Sequence, residues 1–497
     1  MKRLIRITVT IAAYGIVVAC SSASAGVTKL PTTIVNDGPS TVEPRLPTIE
    51  PQPTLSVGSP AEEDAFLDQL AEDTWTYLTW AASNHLPWSW RSTAISGGDY
   101  ANPAEIGLYA LSWLAAYDLR RPWSPSWAET ETEVGAILDQ LRAWQTGSQS
   151  QQPNGPNAYQ NSVFYQWYWI SWIPPVVGAG TGDRLVPSVD NAWLAVSLIV
   201  TREYAEANGQ LGLAQKADAI LSDMDFTVWY HYDTHRFNWG AVENPQGGTQ
   251  ADYYSNENRI INFVARALGQ LDTQEYQLSL QALVQAPSTY DRGTPDPDDD
   301  IIVERVAWDG SYFTYAAPAL FIREPPTTYG ANTLAPATLS QIAYAQDQGY
   351  VAWGLSDAFD VDDGGYVQQG APPAPSGTPE TQPGLVSPHV STLALIAPYA
   401  SAAITNLHVL SDTFPNLYDS TYGFHDSVLA DPGNAKYGHV SARFTTLAQA
   451  WVFLALANYQ TGFIWNYLYR DLGVWRAHIE MYGGSFTYLP LFLKTHS

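Results

Sequence analysis

Tyr253-Tyr254-Ser255-Asn256-Glu257-Asn258-Arg259 runs straight into apolar positions at Ile261, Val264, Ala265 and Leu268. Spacings of three and four residues predict a helix with one buried face, opened by a carboxylate in its first turn. Two tyrosines before the acid and an arginine after it suit a site where a sugar ring stacks and a carboxyl group works on its glycosidic oxygen. Ser-Asn-Glu at a helix start is equally a plain N-cap with a dipole-favoured acid. These residues alone leave both readings open.

The same spacing recurs on either side. Leu67, Leu70, Thr74, Tyr77 and Leu78 follow it, as do Ile106, Tyr109, Ala110, Trp113 and Tyr117. Val134, Ile137, Leu138, Leu141 and Trp144 make another helix, and Val189, Trp193, Val196, Val200 and Tyr204 the next. Leu211, Ala214, Ala217 and Leu221 continue the series, and Ser391–Leu410 and Phe444–Tyr459 read as helical late in the chain. Between them lie aromatic loops with extended pieces, such as Phe164-Tyr165-Gln166-Trp167-Tyr168-Trp169 and Trp229-Tyr230-His231-Tyr232. Many amphipathic helices without βαβ alternation or a short repeat predict an all-α fold. The expected form is a single (α/α)6 toroid with aromatic loops and short β pieces at one end. No boundary divides residues 61–497, and the Pro-rich stretch Gly370–Gln382 reads as a long insertion or lid loop.

Hydrophobic residues form 45% of the 497, and aromatics 13%, with 19 Trp and 30 Tyr. Charged residues are only 14% and the net charge is −26, which argues against nucleic acid as a partner. A polysaccharide or oligosaccharide, neutral and able to lie on aromatic faces, fits this surface. No cofactor motif appears, and the chain is expected to act as a monomer.

Lys2, Arg3 and Arg6 precede a short apolar run from Val9 to Ala19, then the sole cysteine, Cys20. This is the pattern of an export signal over residues 1–20, too short to span a bilayer. Val17-Val18-Ala19-Cys20 resembles a bacterial lipoprotein box, which would leave a lipid on Cys20 as the only membrane attachment. Cleavage after Ala23-Ser24-Ala25, giving a secreted protein, is the alternative. Residues 21–60, rich in Pro, Ser and Thr, read as a disordered tether holding the domain off the surface of the cell envelope.

Two carboxylates open apolar helices: Asp190, in Pro187-Ser188-Val189-Asp190-Asn191-Ala192-Trp193, and Glu257. If alternate helices line a funnel, both crowd one mouth. Glycoside hydrolysis needs one carboxyl protonated, to donate to the leaving oxygen, and one ionised, to activate water. A helix N-terminus favours the ionised form, so Glu257 needs burial or a neighbouring like charge to keep its proton. Tyr253, Tyr254, Trp308, Tyr312 and Trp167 are expected sugar platforms, and Arg259, Asp309, Asp357 and Asp426 expected sugar contacts. Singly, those aspartates also read as turn residues bonded to their own backbone. The clusters Asp296–Asp300 and Asp360–Asp363 lack the twelve-residue calcium loop with its closing Glu, and no metal site is expected. The latter also fits the D-x-D-D motif of terpene cyclases, which the following glycine pair and the export signal oppose. No H-E-x-x-H, Gly-rich phosphate loop or G-x-S-x-G elbow is present.

Taken in order, several stretches resemble the bacterial glycoamylase-like family. It includes the endo-β-1,2-glucanases of glycoside hydrolase family 144 and a domain of the cyclic β-1,2-glucan synthases. They are Asn102-Pro103-Ala104-Glu105-Ile106-Gly107, Ser188–Leu194, Asn256–Ile260, Trp308–Phe313, Trp353–Asp357, Val386–His389, Tyr422–Val428 and Asn458–Trp465. The resemblance covers the chain from about residue 70. It implies an (α/α)6 toroid and an anomer-inverting hydrolase of β-glucan, with Glu257 as general acid and Asp190 in the sugar cleft. One departure stands out: where the family has Asp-Gln-Gly, this chain has Ala448-Gln449-Ala450. An alanine cannot relay a proton. The water-activating role then falls to Asp190, Asp357 or Asp426, the substrate differs, or the protein binds glycan without cleaving it.

Overall fold

The structure, a computed structural model, describes residues 60–148, 155–178, 182–362, 364–377 and 380–483. The signal segment with Cys20, the tether up to residue 59, and Asp363 lie outside the described residues. Pro60, placed at the tether's end by its composition, is the first residue of helix α1.

Helices in chain order are α1 (Pro60–Trp80), α2 (Pro103–Leu119), α3 (Trp127–Thr146), α4 (Ser188–Ala207) and α5 (Leu211–Asp223). Next come α6 (Arg259–Ala267), α7 (Thr273–Ala282), α8 (Tyr312–Ala316), α9 (Ala335–Gln348) and α10 (Pro388–Ala394). The series ends with α11 (Ala400–Thr413), α12 (Thr446–Thr461), α13 (Phe463–Leu468) and α14 (Leu472–Tyr482). Even-numbered helices from α2 to α12 are buried almost all round, whereas α3, α5, α7 and α11 bury one stripe. A helix that is apolar on every side belongs inside, and an amphipathic one covers it. The packing agrees: α2 meets α4 and α12, α4 meets α6, and α10 meets α8 and α12. Helices α3, α5, α7, α9 and α11 each pack on an even-numbered neighbour.

Long loops lead into the buried helices, and they carry short antiparallel strand pairs. Trp90–Arg91, in the loop before α2, pairs with Phe444–Thr445, in the loop before α12, so the loops of these two neighbouring helices are joined. Tyr100–Ala101, Tyr168–Trp169 and Val176–Val177 form a three-stranded sheet. Beneath them one large core holds Trp144 stacked on Tyr168 at 3.8 Å, and Trp451 between Phe313 and Trp193.

Local differences from the expected pattern have simple causes. The helix expected over Ser391–Leu410 is two, α10 and α11, with Pro398 in the break, where it can supply no N–H to a continuing helix. Phe444 is strand, not helix. The helix after Glu257 begins at Arg259, so Glu257 stands in the turn before it rather than in its first helical turn.

Candidate active site

Glu105 and Asp190 occupy the third position of two neighbouring buried helices, α2 and α4. These helices lie close because Gly107 faces α4: a Cβ there would sit 2.9 Å from the Leu194 Cα. Glu105 closes a capping box, accepting from the Asn102 N–H at 3.0 Å while the Asn102 side chain accepts from the Glu105 N–H at 2.8 Å. Ser89 Oγ donates to its other oxygen at 2.7 Å. Burial above all, with the nearby charge of Asp190, pushes the Glu105 carboxyl up to about 8.

Asp190 has a different environment. Its neighbour Asn191 clamps the α4 start to the Phe164 loop, accepting from the Phe164 N–H at 2.8 Å and donating to the Phe164 carbonyl at 2.9 Å. The Asp190 carboxyl is half-buried, and among the described residues no side-chain or backbone donor bonds to it. Burial pushes it up to about 7.

Glu257 is half-buried opposite, and the Trp193 indole N–H donates to its Oε1 at 2.9 Å. Burial is the main cause that raises it to about 8; the charges of Asp190 and Asp309 add to this, and the Trp193 bond and Arg259 oppose it. Such a group holds its proton near neutrality, which a general acid requires.

Asp309 and Asp357 are joined through Ser311, whose N–H donates to Asp309 Oδ1 at 3.1 Å while its Oγ accepts from the Asp357 N–H at 3.2 Å. Gln368 donates to Asp309 Oδ2 at 2.9 Å and the Gln369 N–H to Asp357 Oδ1 at 2.9 Å. Burial raises both carboxyls, and the charge of Asp309 raises Asp357 further. Asp426 accepts from the Phe359 N–H at 2.6 Å and from Thr445 Oγ1, and burial lifts it to about 6.

Glu105, Asp190, Glu257, Asp309, Asp357 and Asp426 therefore form one cluster of carboxyls, the candidate cleft. Tyr366 is surrounded by them: after burial, the charges of Asp357, Asp426, Glu257 and Glu105 drive its phenol far above the ordinary range. Its hydroxyl donates to the Asp357 carbonyl at 3.0 Å. Arg443 lies over Trp90 at 4.8 Å and over Phe359 at 4.5 Å, facing Asp426. The turn that carries Trp90 needs Gly98, at φ +81°, since a Cβ there would fall 1.9 Å from the Trp90 carbonyl oxygen.

Among the expected platforms, Tyr253 and Trp308 stay partly exposed with ring centroids 5.5 Å apart, and Trp167 lies edge-on to Tyr100 at 5.0 Å, on the Glu105 side. Tyr254 and Tyr312 are corrected: both are buried, the first against Tyr329 and the second bonded to Thr338 at 2.8 Å, so neither offers a face to a sugar. Arg259, expected at the sugar, is 0% exposed and also lies beneath the cleft. Glu105, Tyr366, Trp90 and Arg443 are site residues that the sequence reading did not select. The capping box at Asn102 and Glu105 was the available signal for the first. The acidic clusters form local turns: Asp296 caps Pro297–Asp299, and Asp360 Oδ1 accepts from the Asp362 and Gly364 N–H groups at 3.0 and 2.7 Å. Among the described residues no three His, Cys, Asp or Glu side chains form a metal cage.

No curated protein sequence matches the chain. The Glycoamylase family model, described as "Putative glucoamylase", matches residues 289–471, which include Asp309, Asp357, Asp426 and Ala448. A putative glucoamylase from Bacteroides fragilis NCTC 9343 superposes with TM-score 0.66 at 18% identity, over 87% of this chain and 99% of its own. The endo-β-1,2-glucanase of Chitinophaga pinensis, in complex with sophorotriose and glucose, gives 0.65 at 16%, over 84% and 98%. That of Talaromyces funiculosus, in complex with sophorose, gives 0.64 at 14%, over 84% and 91%. At these identities the likeness is one of fold. The family model thus covers the C-terminal part of the chain, in line with the resemblance of its ordered motifs, and the likeness over most of its length is to the fold of these solved structures.

Proposed function

We propose that this protein is a glycoside hydrolase that cleaves a glucan-type polysaccharide or oligosaccharide, with β-1,2-glucan as first choice, on a closed (α/α)6 toroid. The observation that carries the reading is the contrast between two neighbouring carboxyls. Glu257 keeps its proton up to about 8, whereas Asp190 ionises near 7 and accepts no bond from the described residues. Burial raises both, and their surroundings separate their roles: the acid is held by the Trp193 N–H, while the other carboxyl has its oxygens open to a water, the division of labour of an acid and a base. Glu257 donates its proton to the glycosidic oxygen as the bond to the anomeric carbon breaks. Asp190, with its oxygens free, takes a proton from the water that attacks the opposite face, which inverts the anomer. This assignment puts the water-activating role on Asp190 and leaves none for position 448, where Ala448 is buried in the first turn of α12.

Tyr253 and Trp308 then serve as the platform beside the acid, and Trp167 as one on the far side. Asp309, Asp357 and Asp426 accept sugar hydroxyls. The signal, the lipid on Cys20 and the tether would hold this domain in a bacterial cell envelope, facing the surface or the periplasm, or release it in the secreted alternative.

The decisive experiment is the appearance of new reducing ends when the protein is incubated with β-1,2-, β-1,3-, β-1,4- and α-1,4-glucans. Release from β-1,2-glucan, lost in Glu257→Gln, supports the assignment. A second reading, motivated by Ala448, is a glycan-binding protein of the same fold without turnover. Tight binding to one polymer with no new reducing ends favours it.

A further inference from the structure

Glu257 projects from a turn, not from a helix, and a general acid must be held within a fraction of an ångström of its target. The turn is anchored by the residue two positions on. Arg259 has five N–H donors, and all five are engaged inside the protein. Nε and Nη2 form a fork on the Glu324 carboxylate at 2.7 and 2.9 Å. Nη1 donates to the Thr314 carbonyl at 2.6 Å, and Nη2 to that of Tyr315 at 2.6 Å, both in α8. The remaining Nη1 bond, at 3.2 Å, reaches the carbonyl of Asn256, the peptide that immediately precedes Glu257.

The brace extends outward. Glu324, also 0% exposed, accepts from the Tyr482 hydroxyl and so fastens α14 to the same point. The Tyr329 ring lies 4.9 Å from the guanidinium, and its hydroxyl meets Ser255 Oγ at 3.1 Å. Ser255 in turn bonds to the Arg305 carbonyl. A buried ion pair adds little net stability over apolar residues of the same volume, because desolvation offsets its attraction. Such a pair is explained better by geometry than by stability when its spare donors all grip backbone carbonyls, two in α8 and one in the turn of Glu257.

We propose that Arg259 is the positioning residue of Glu257, acting through the Asn256 peptide, and that Glu324 and Tyr482 lock it in place. The proposal rests on Glu257 being the acid. The charged and titratable groups that face Glu257 are Asp190 from α4, Asp309 and Asp357 from the loops before α8 and α10, and Tyr366 from the hairpin over the site; Arg259 is the cation whose charge reaches it. Position and charge are therefore separable by substitution.

The test uses the full chain with Arg259→Met combined with Glu324→Leu, which replaces the pair by apolar residues, and separately Arg259→Lys, which keeps the charge but cannot grip three carbonyls. Melting and circular dichroism report the fold. Titration of the Glu257 carboxyl by 13C NMR, assigned by its loss in Glu257→Gln, needs no turnover. In the double variant the Glu257 titration is expected to move upward, since the charge of Arg259, which favours the ionised form, is gone. Turnover is expected to fall roughly 30- to 100-fold with KM within about threefold. Arg259→Lys keeps the titration near its native position and loses roughly tenfold in turnover. An unchanged titration in the double variant, or turnover within about threefold of native in both variants, overturns the proposal. If the native protein cleaves none of the glucans, the hydrolase reading falls, and a shifted titration in the double variant then shows only that Arg259 acts on the Glu257 carboxyl.

Discussion

The Trp193 indole N–H donates to Glu257 Oε1 at 2.9 Å, linking the first turns of α4 to the turn before α6. The two residues are 64 positions apart and meet because α4 and α6 are neighbours in the buried set. Trp193 is itself 1% exposed and wedged against Phe321 and Trp451, so the donor has little freedom to leave.

Trp193→Phe removes this donor while retaining most of the ring. The bond favours the ionised carboxylate, so its loss raises the proton affinity of Glu257. The alkaline limb of the pH–rate profile is expected to move upward, with a stability cost of about 1–3 kcal/mol from the smaller side chain. A limb that stays in place shows that the bond does not act on the acid.

The native pH profile of kcat/KM should be a narrow bell. Activity rises as Asp190 loses its proton near 7 and falls as Glu257 loses its own near 8, the two limbs belonging to the pair. Glu257→Gln should lower turnover by about 10²–10⁴-fold with melting unchanged within a few degrees. Undiminished activity in that variant refutes its role.

Glu105 should make the fold sensitive to alkali. Its folded value, about 8, lies above the ordinary one, so the folded chain keeps a proton that the unfolded chain releases. The stability it contributes is complete below about pH 4 and is lost as pH rises through about 8. Glu105→Gln mimics the neutral acid and preserves the capping box. Denaturation should find it within about 1 kcal/mol of native near pH 5, and more stable by about 1–3 kcal/mol near pH 9. A constant difference across that range would show that Glu105 is ionised throughout.

Ala448→Asp tests whether the family's late-helix acid is needed here. With Asp190 as base, the added carboxylate leaves kcat/KM within about threefold and does not rescue Asp190→Asn. Restoration of turnover in the double variant would move the base to position 448.

Trp308→Ala removes one member of the exposed aromatic pair beside the acid. A sugar platform of this kind contributes roughly 1–2 kcal/mol, so KM or the glucan dissociation constant should rise about 5- to 30-fold with melting little changed. Equal binding by the variant places the substrate elsewhere.

The long helices were legible because their apolar residues recur at three and four, and α1 through α6 follow that pattern closely. Helices α7, α8, α9, α13 and α14 were not read. Several of them are too short to show a period, and α9 follows a π turn at Gly330–Leu334 and carries Pro336 in its first turn. Glu257 and Asp190 stand out by local context. Glu105, at the same kind of helix start, does not, because its capping box accounts for it without invoking chemistry.

Arg259 marks the boundary between the two kinds of information. Its nearness to Glu257 is written in the chain, but whether it points to the cleft or to the interior depends on Glu324, Thr314 and Tyr315, 55 to 65 residues away. Tyr254 and Tyr312 were misplaced for the same reason, since an aromatic ring reads alike in sequence whether it stacks on a sugar or fills a core. The sequence by itself determined the helical class, the place of the long helices from α1 to α6, and two of the carboxylates that stand where buried helices begin, because these follow from spacing within one segment. Only the tertiary structure decided which of those carboxylates share a cleft, which keep a proton and which accept no bond. Those properties depend on burial and on neighbours brought by other helices, and neither is encoded in local spacing.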